Sequence, residues 1–172
     1  MNSKLDFIFK RRSVRQYEEK TIPDKVLEDI LKAAMSAPSA CSKDPWHYIV
    51  IKDWKMLEEI AKGLPNGSML GKANAGIVVC GDLEKAHDSQ LSYLLQDCSA
   101  SVENMLLAAN ALGIGACWLG VHPREERCEH IRKLLGIPEK IIPISVISLG
   151  YPAEEKAPRT RYSEASVHSE KW

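Results

Sequence analysis

Between Asp88 and Leu112 an apolar residue recurs at nearly every third or fourth position: Leu91, Leu94, Leu95, Cys98, Val102, Met105, Leu106, Ala109 and Leu112. That is the period of an α-helix. At 1.5 Å per residue it predicts a rod of roughly 37 Å, long for a chain of 172 residues. Ser99, Ala100, Ala108 and Ala111 widen its non-polar face. A helix apolar around so much of its circumference must be buried on several sides. It is either the central element of the protein or part of an interface between two copies.

The remaining elements have to wrap this rod. Hydrophobic residues make up 45% of the chain but aromatics only 6%, so the core is aliphatic. Met1 to Lys10 reads as a short helix with Leu5, Ile8 and Phe9 on one side, and Arg11 to Tyr17 as a polar turn. Pro23 stands where a helix can begin without losing a hydrogen bond. Leu27, Ile30, Leu31, Ala34 and Met35 follow at helical spacing until Ala37-Pro38 ends the run. Trp46–Ile51, Ala75–Cys80, Gly115–Leu119 and Pro143–Gly150 read as strands. Asp53 can cap a helix carrying Trp54, Leu57 and Ile60. Pro123 opens a further helix that ends near Gly136. Strands alternate with helices, which indicates a mixed α/β architecture in one domain over residues 1–172. Residues 150–172 form a C-terminal arm, polar and punctuated by proline. Its Val167, His168 and Trp172 suggest that the arm packs on something.

Composition excludes several classes. Lysine plus arginine and aspartate plus glutamate are equal at 23 each, whereas a nucleic-acid or anionic-membrane surface needs excess positive charge. No apolar run approaches the roughly 20 residues of a membrane span, and the N-terminus does not read as a secretory signal. The five cysteines, Cys41, Cys80, Cys98, Cys117 and Cys128, are odd in number and contain no Cys-x-x-Cys pair. Reduced thiols in a cytoplasmic protein are the expectation. His122, His130, Cys117 and Cys128 match no common zinc spacing, so no metal site is expected.

Four stretches could carry chemistry. Arg11-Arg12-Ser13-Val14-Arg15 concentrates three guanidiniums and a hydroxyl, a donor set suited to phosphate. Arg159-Thr160-Arg161 could close the same anion site from the other end of the chain. Ala37 to Trp46 is a loop of small polar residues over which a flat ring could approach the backbone. Leu112 to Gly120 tempts a dinucleotide-fold reading. Its glycines, however, follow a helix instead of linking a strand to one, so Gly113 reads better as a helix C-cap leading into a strand.

Taken together, the Arg-x-Ser turn, the Pro-Ser…Pro-Trp loop, the Ala-Leu-Gly-Ile-Gly…Trp-Leu-Gly segment and the late Leu-Gly-Tyr-Pro followed by Arg159-Thr160-Arg161 resemble the compact branch of the nitroreductase family. The resemblance runs from Phe7 to Trp172. It implies an α+β fold with a central, mainly antiparallel sheet flanked by helices, in an intertwined homodimer with FMN at the interface. It further implies that Arg11, Ser13 and Arg161 bind the FMN phosphate. Arg12 and Arg15 would line the phosphate and the polar edge of the ring, with Arg159 assisting. Pro38, Ser39, Ala40 and Ser42 would reach the ring or ribityl chain from the other subunit. Trp118, Leu119 and Gly120 would run beside the flavin, with a backbone N–H near N5.

The implied activity is ping-pong transfer of hydride from NAD(P)H, as co-substrate, to a nitroaromatic, quinone or similar flat acceptor. No side chain is required as catalytic acid or base. Related chemistries on the same fold are dehalogenation and flavin fragmentation; those relatives often add a substrate lid, and the Lys62–Lys72 stretch is short for one. A flavin-binding protein without turnover is the non-enzymatic alternative. The sequence departs from the family where Asn-x-Gln usually precedes Pro-Trp. Ser42-Lys43-Asp44 stands there instead, placing a carboxylate where the family has an amide.

Overall fold

A computed structural model describes residues 3–172. Its centre is a sheet of four antiparallel strands: β1 (Trp46–Ile51), β2 (Ala75–Asp82), β3 (Gly115–Gly120) and β4 (Ile141–Gly150), in the order β1-β2-β4-β3. β2 is buried along almost its whole length and β4 along most of it, since both are central and covered on each face. This is why their sequences read as continuous apolar runs instead of alternating ones. Pro143 lies inside β4. The register shifts between Val79 and Cys80 of β2, which pair with Ser145 and Pro143. A bulge at that point accommodates a residue with no N–H to give the ladder.

Helices cover both faces. On one side α2 (Asp24–Met35) and α4 (Leu91–Ala111) pack over Ile77, Val79, Ile147 and Leu149. On the other, α3 (Trp54–Lys62) and α5 (Glu125–Leu135) pack over Val78, Cys80, Val146 and Leu119. Adjacent residues of one strand thus serve opposite cores, as the two-residue repeat of a strand demands. A short helix, α1 (Asp6–Lys10), leans on α4. Met1 and Asn2 of the helix expected over Met1–Lys10 lie outside the described residues.

The apolar rod is α4, about 30 Å long at 1.5 Å per residue, and it touches all four strands. Leu94, Cys98, Val102, Met105 and Ala109 are fully buried within the single chain, so this stripe is first the core of the protomer. Leu91 and Leu112 stay exposed at its ends. The helix begins later than the apolar period suggests. Asp88 and Ser89 both adopt φ of 51°, a left-handed conformation that interrupts an α-helix. The helix end follows the Gly113 expectation in detail. Gly113 has φ of 73°, its N–H donates to Asn110 O at 3.1 Å, and Ile114 N–H donates to Ala109 O at 2.8 Å. That is the Schellman pattern, with Ile114 and Ala109 both in the core.

Other sequence expectations fare unevenly. Asp53 caps α3 by accepting from Lys55 N–H at 3.0 Å. Gly136, with φ of 64°, terminates α5 as expected. That helix starts at Glu125 and not at Pro123, which follows a cis His122–Pro123 bond in the preceding turn. All five cysteines are free thiols.

The Arg11–Tyr17 segment is more than a turn. Ser13 bridges Ala116 in parallel, and Val14 N–H donates to Ala116 O at 2.9 Å, so the segment extends the sheet beyond β3. Val14 packs so closely on Gly115 that a Cβ there would lie 2.7 Å from its side chain. The Tyr17 hydroxyl donates to Val14 O at 2.7 Å and shares a hydrogen bond with Ser148 Oγ at 2.7 Å. Burial pushes this phenol's pKa upward, so it stays a neutral donor. Tyr17→Phe should destabilise the protein by about 1–3 kcal/mol, since it strands a half-buried carbonyl and weakens the bonding of a buried serine. Urea denaturation would read this as a lower midpoint at unchanged slope; an unaltered midpoint would remove Tyr17 as the anchor.

Candidate anion-binding and substrate site

Because Ser13 and Val14 run along β3, the arginines on either side of them are spread along one edge of the sheet. Arg11 and Arg12 fall at the end nearer α4, and Arg15 at the end nearer Gly120. The C-terminal arm then folds back over the segment. Ala153 N–H donates to Gln16 O at 2.9 Å, and Arg159 N–H donates to Phe9 O at 3.1 Å. Lys156 Nζ donates to Ser13 O at 2.7 Å, and Arg12 Nη1 donates to Ala157 O. Glu154 ties the two strands of this arrangement together. Its carboxylate accepts from Arg15 N–H at 2.7 Å and pairs with Lys156 at 2.9 Å. These contacts hold the Glu154 carboxyl below its usual pKa.

Residues from the two ends of the chain meet as a result. An open cavity of ≈ 370 Å³ is lined by Arg11, Arg12, Glu103, Arg159, Thr160 and Arg161, with Ile8 and Phe9. Four arginines against one glutamate leave a formal charge of +3 around it. The Glu103 carboxylate lies 3.5 Å from Arg11 Nε. Both groups are partly exposed, so this pair is weak and an incoming dianion can compete with it. The donor set therefore fits a phosphate group: several planar guanidiniums converge on one open space, with only a single carboxylate to displace.

A second cavity of ≈ 280 Å³ opens where Trp118, Leu119 and Gly120 end β3, and Arg15, Arg127 and Asn66 join its lining. Trp118 is 38% exposed. A Cβ built on Gly120 would meet nothing within 4 Å, so the backbone there faces open space. Small exposed backbone beside an aromatic face suits a flat ring. The turn Leu64–Asn66, with Leu64 buried and Pro65 and Asn66 exposed, borders this cavity from the α3 side.

Not every expected site residue joins these two spaces. Ser13 lies between them, its hydroxyl against Cys117 and not in either lining. Pro38, Ser39, Ala40 and Ser42 sit at the other end of α4, where Ala40 N–H donates to Asp97 Oδ1 at 2.9 Å. That loop is strained: Cys41, Ser42 and Asp44 have φ of 51°, 51° and 47°, each unfavourable for a residue with a Cβ. Asp44 holds it in shape, accepting from Ser39 Oγ at 2.5 Å while its own N–H donates to Ser39 Oγ at 3.0 Å. The carboxylate that departs from the family pattern thus turns back on its own loop.

Sequence reasoning passed over Glu103, Asp97 and Arg127. Asp97 carried a signal, as a carboxylate inside an apolar helical stripe. Glu103 and Arg127 carried none, because charged residues on helix surfaces are ordinary. The remaining thiols do not extend the site: burial pushes Cys80 and Cys98 up to about 12. Among the described residues, no three His, Cys, Asp or Glu side chains cluster closely enough to share a metal ion, and no helix is long and apolar enough to cross a membrane.

Comparison with known proteins gives this geometry a context. The model of the Nitroreductase family matches residues 8–65 and 55–151. A protein of Archaeoglobus fulgidus assigned as an NADH dehydrogenase/NAD(P)H nitroreductase is 49% identical, with all of both chains covered. The structure of an FMN-dependent nitroreductase from Clostridium difficile superposes with a TM-score of 0.90 at 31% identity, covering 98% of this chain and 99% of that one. A nitroreductase from Desulfovibrio desulfuricans, solved in complex with FMN, superposes with a TM-score of 0.85 at 29% identity over 100% and 99% of the two chains.

If Glu103 competes for the anion cavity, Glu103→Gln will bind inorganic phosphate roughly two- to fivefold more tightly, the ~0.5–1 kcal/mol of a partly exposed ion pair. Isothermal titration at low salt checks this; equal or weaker binding would remove Glu103 as a competitor.

Proposed function

The chain belongs to the nitroreductase family, and from that premise we propose that it is an FMN-dependent oxidoreductase working as a homodimer. One observation carries the reading: Arg11 and Arg161, 150 residues apart in sequence, line the same cavity. FMN, when bound, supplies the two-electron chemistry, accepting hydride from NAD(P)H and passing it in a ping-pong cycle to a nitroaromatic, quinone or similar flat acceptor.

The protein's own part is to bind, orient and polarise. Arg11 and Arg161 hold the phosphate, with Arg12 and Arg159 beside them, while the Ser13 hydroxyl, turned toward Cys117, would have to rotate to add a donor. The formal +3 of the cavity also sets a positive potential that draws an anionic cofactor in. Arg15, on the same extended segment, faces the polar edge of the ring and favours negative charge there. Trp118, Leu119 and Gly120 give the ring an open, backbone-rich surface. No side chain is needed as acid or base, since solvent can protonate the product.

The second copy completes the site. Pro38, Ser39, Ala40 and Ser42 lie away from the arginine cavity of their own chain, which accords with their serving the partner's flavin. Exposed Leu5, Phe7 and Ile8 at one terminus and Tyr162, Val167 and fully exposed Trp172 at the other are apolar surface that a partner would cover. Residues 1–172 act as one domain, with residues 150–172 the arm that both closes the anion cavity and reaches the other protomer. The proposal includes cytoplasmic placement, which the NAD(P)H co-substrate and the free thiols support.

Purified protein reconstituted with FMN should bleach on anaerobic addition of NADH or NADPH in stopped flow and recolour with an acceptor. A flavin that binds without ever bleaching would refute the activity while leaving the binding site intact. Arg161→Ala should weaken FMN binding by about 1.5–3 kcal/mol, the loss of a charged hydrogen bond, with fluorescence titration as the measurement. Light scattering should give a mass of two chains; a single-chain mass would refute the shared site.

A further inference from the structure

Arg127 lines the cavity at the end of β3 but has been given no role there, and its position is unusual. From the first turn of α5 it reaches back seven residues, and Nη1 donates to Gly120 O at 3.0 Å. Its Nε is buried without a hydrogen-bond partner. A guanidinium carries five N–H donors, and one carbonyl uses few of them. The buried Nε is out of a ligand's reach, but Arg127 lines the cavity and its remaining Nη donors are available to an acceptor that enters it. Arg15 lines the same cavity as Arg127, and no carboxylate does. Among the described residues, neither arginine forms an ion pair with an acidic side chain. Two like charges facing one space without compensation raise its potential and select for an anion.

We propose that the cavity ending at Trp118–Gly120 receives an anionic group carried by the substrate that exchanges electrons at this site, with Arg127 its principal ligand and Arg15 assisting. The inference rests on the reading above in one respect: Trp118–Gly120 is where the reacting ring lies. The substrate class is then a flat molecule bearing a carboxylate or phosphate a short distance from its reactive part. Arg127's bond to the Gly120 carbonyl ties the anion pocket rigidly to the strand end, so a ligand held there is also oriented. The anion can belong to the acceptor or to the reductant. An aromatic carboxylate and the 2′-phosphate of NADPH present the same oxygens to the same fork.

The experiment compares two pairs that differ by one anionic group: 4-nitrobenzoate with 4-nitrobenzamide, and NADPH with NADH. Each is measured on the full chain as kcat/KM with FMN added and as calorimetric affinity without it. Wild type should prefer the anionic member of at least one pair. Arg127→Gln should lower that preference about tenfold, the effect of one charge-assisted hydrogen bond. Arg127→Lys, which keeps a positive donor, should recover part of it. A fall confined to the nitroaromatic pair assigns the anion to the acceptor, and one confined to the nucleotides assigns it to the reductant. Preferences unchanged in both pairs, or both members weakened equally, would overturn the proposal and leave Arg127 as a brace for Gly120. Failure of the flavin to bind or bleach would instead count against the enzymatic reading, while the flavin-free titrations would still decide the role of Arg127.

Discussion

The hydrogen bond from Val14 N–H to Ala116 O determines where everything functional lies. It lays the basic segment along the open edge of β3, and Tyr17 pins that segment to the buried hydroxyl of Ser148. An extended chain advances about 3.3 Å per residue. Arg11 and Arg15 are therefore held roughly 13 Å apart along one line, instead of clustering as they would on a helix. One basic motif serves two cavities for this reason. Gly115 and Gly150 make the docking possible, since a Cβ at either would strike Val14 or Tyr17 at under 3 Å. These glycines are required for close approach, not for phosphate binding.

Once the segment is docked, the arm has little choice. The charges at Arg11, Arg12, Arg159 and Arg161 repel one another, and bringing them together costs energy. Backbone bonds between Arg159 and Phe9 and between Ala153 and Gln16 supply part of the compensation, as does the Glu154–Lys156 pair. Glu103 neutralises part of the remaining charge from α4. A binding site built this way is preorganised in backbone but unbalanced in charge. That suits an anionic ligand, whose arrival relieves the repulsion.

Much of this was legible in the residues, for physical reasons that differ from element to element. β2 and β4 are buried on both faces, so their apolar runs stood out. Gly113 could be read as a cap because a helix pattern ran up to it, and its φ of 73° explains why glycine is there. The two basic clusters suggested a shared anion site between Arg11 and Arg161, but only the family resemblance gave that pairing weight, because no local pattern links opposite ends of a chain. The start of α4 was misplaced because hydrophobic period is blind to the left-handed turn at Asp88 and Ser89. Arg127 was invisible for a different reason. In Glu125-Glu126-Arg127-Cys128-Glu129 it reads as one charge on a solvated helix face, and only its reach to Gly120 distinguishes it.

The Pro38–Asp44 loop shows what a single chain leaves unfinished. Three residues with left-handed φ within four positions store unfavourable backbone energy. The loop is bound to its own protomer mainly through Asp97, Ser39, Asp44 and Lys85, which donates to Asp44 O at 2.8 Å. Asp97 Oδ2 is buried without a partner, so the bonding here does not fully balance the cost. Such strain persists only where surrounding contacts impose it. In the proposed dimer the small side chains of this loop meet a flavin from the other copy, and the strained backbone is the means of presenting them. Asp44 then serves the cofactor indirectly. Its carboxylate is spent on Ser39, so under this proposal the loop's shape, not its charge, would reach the partner.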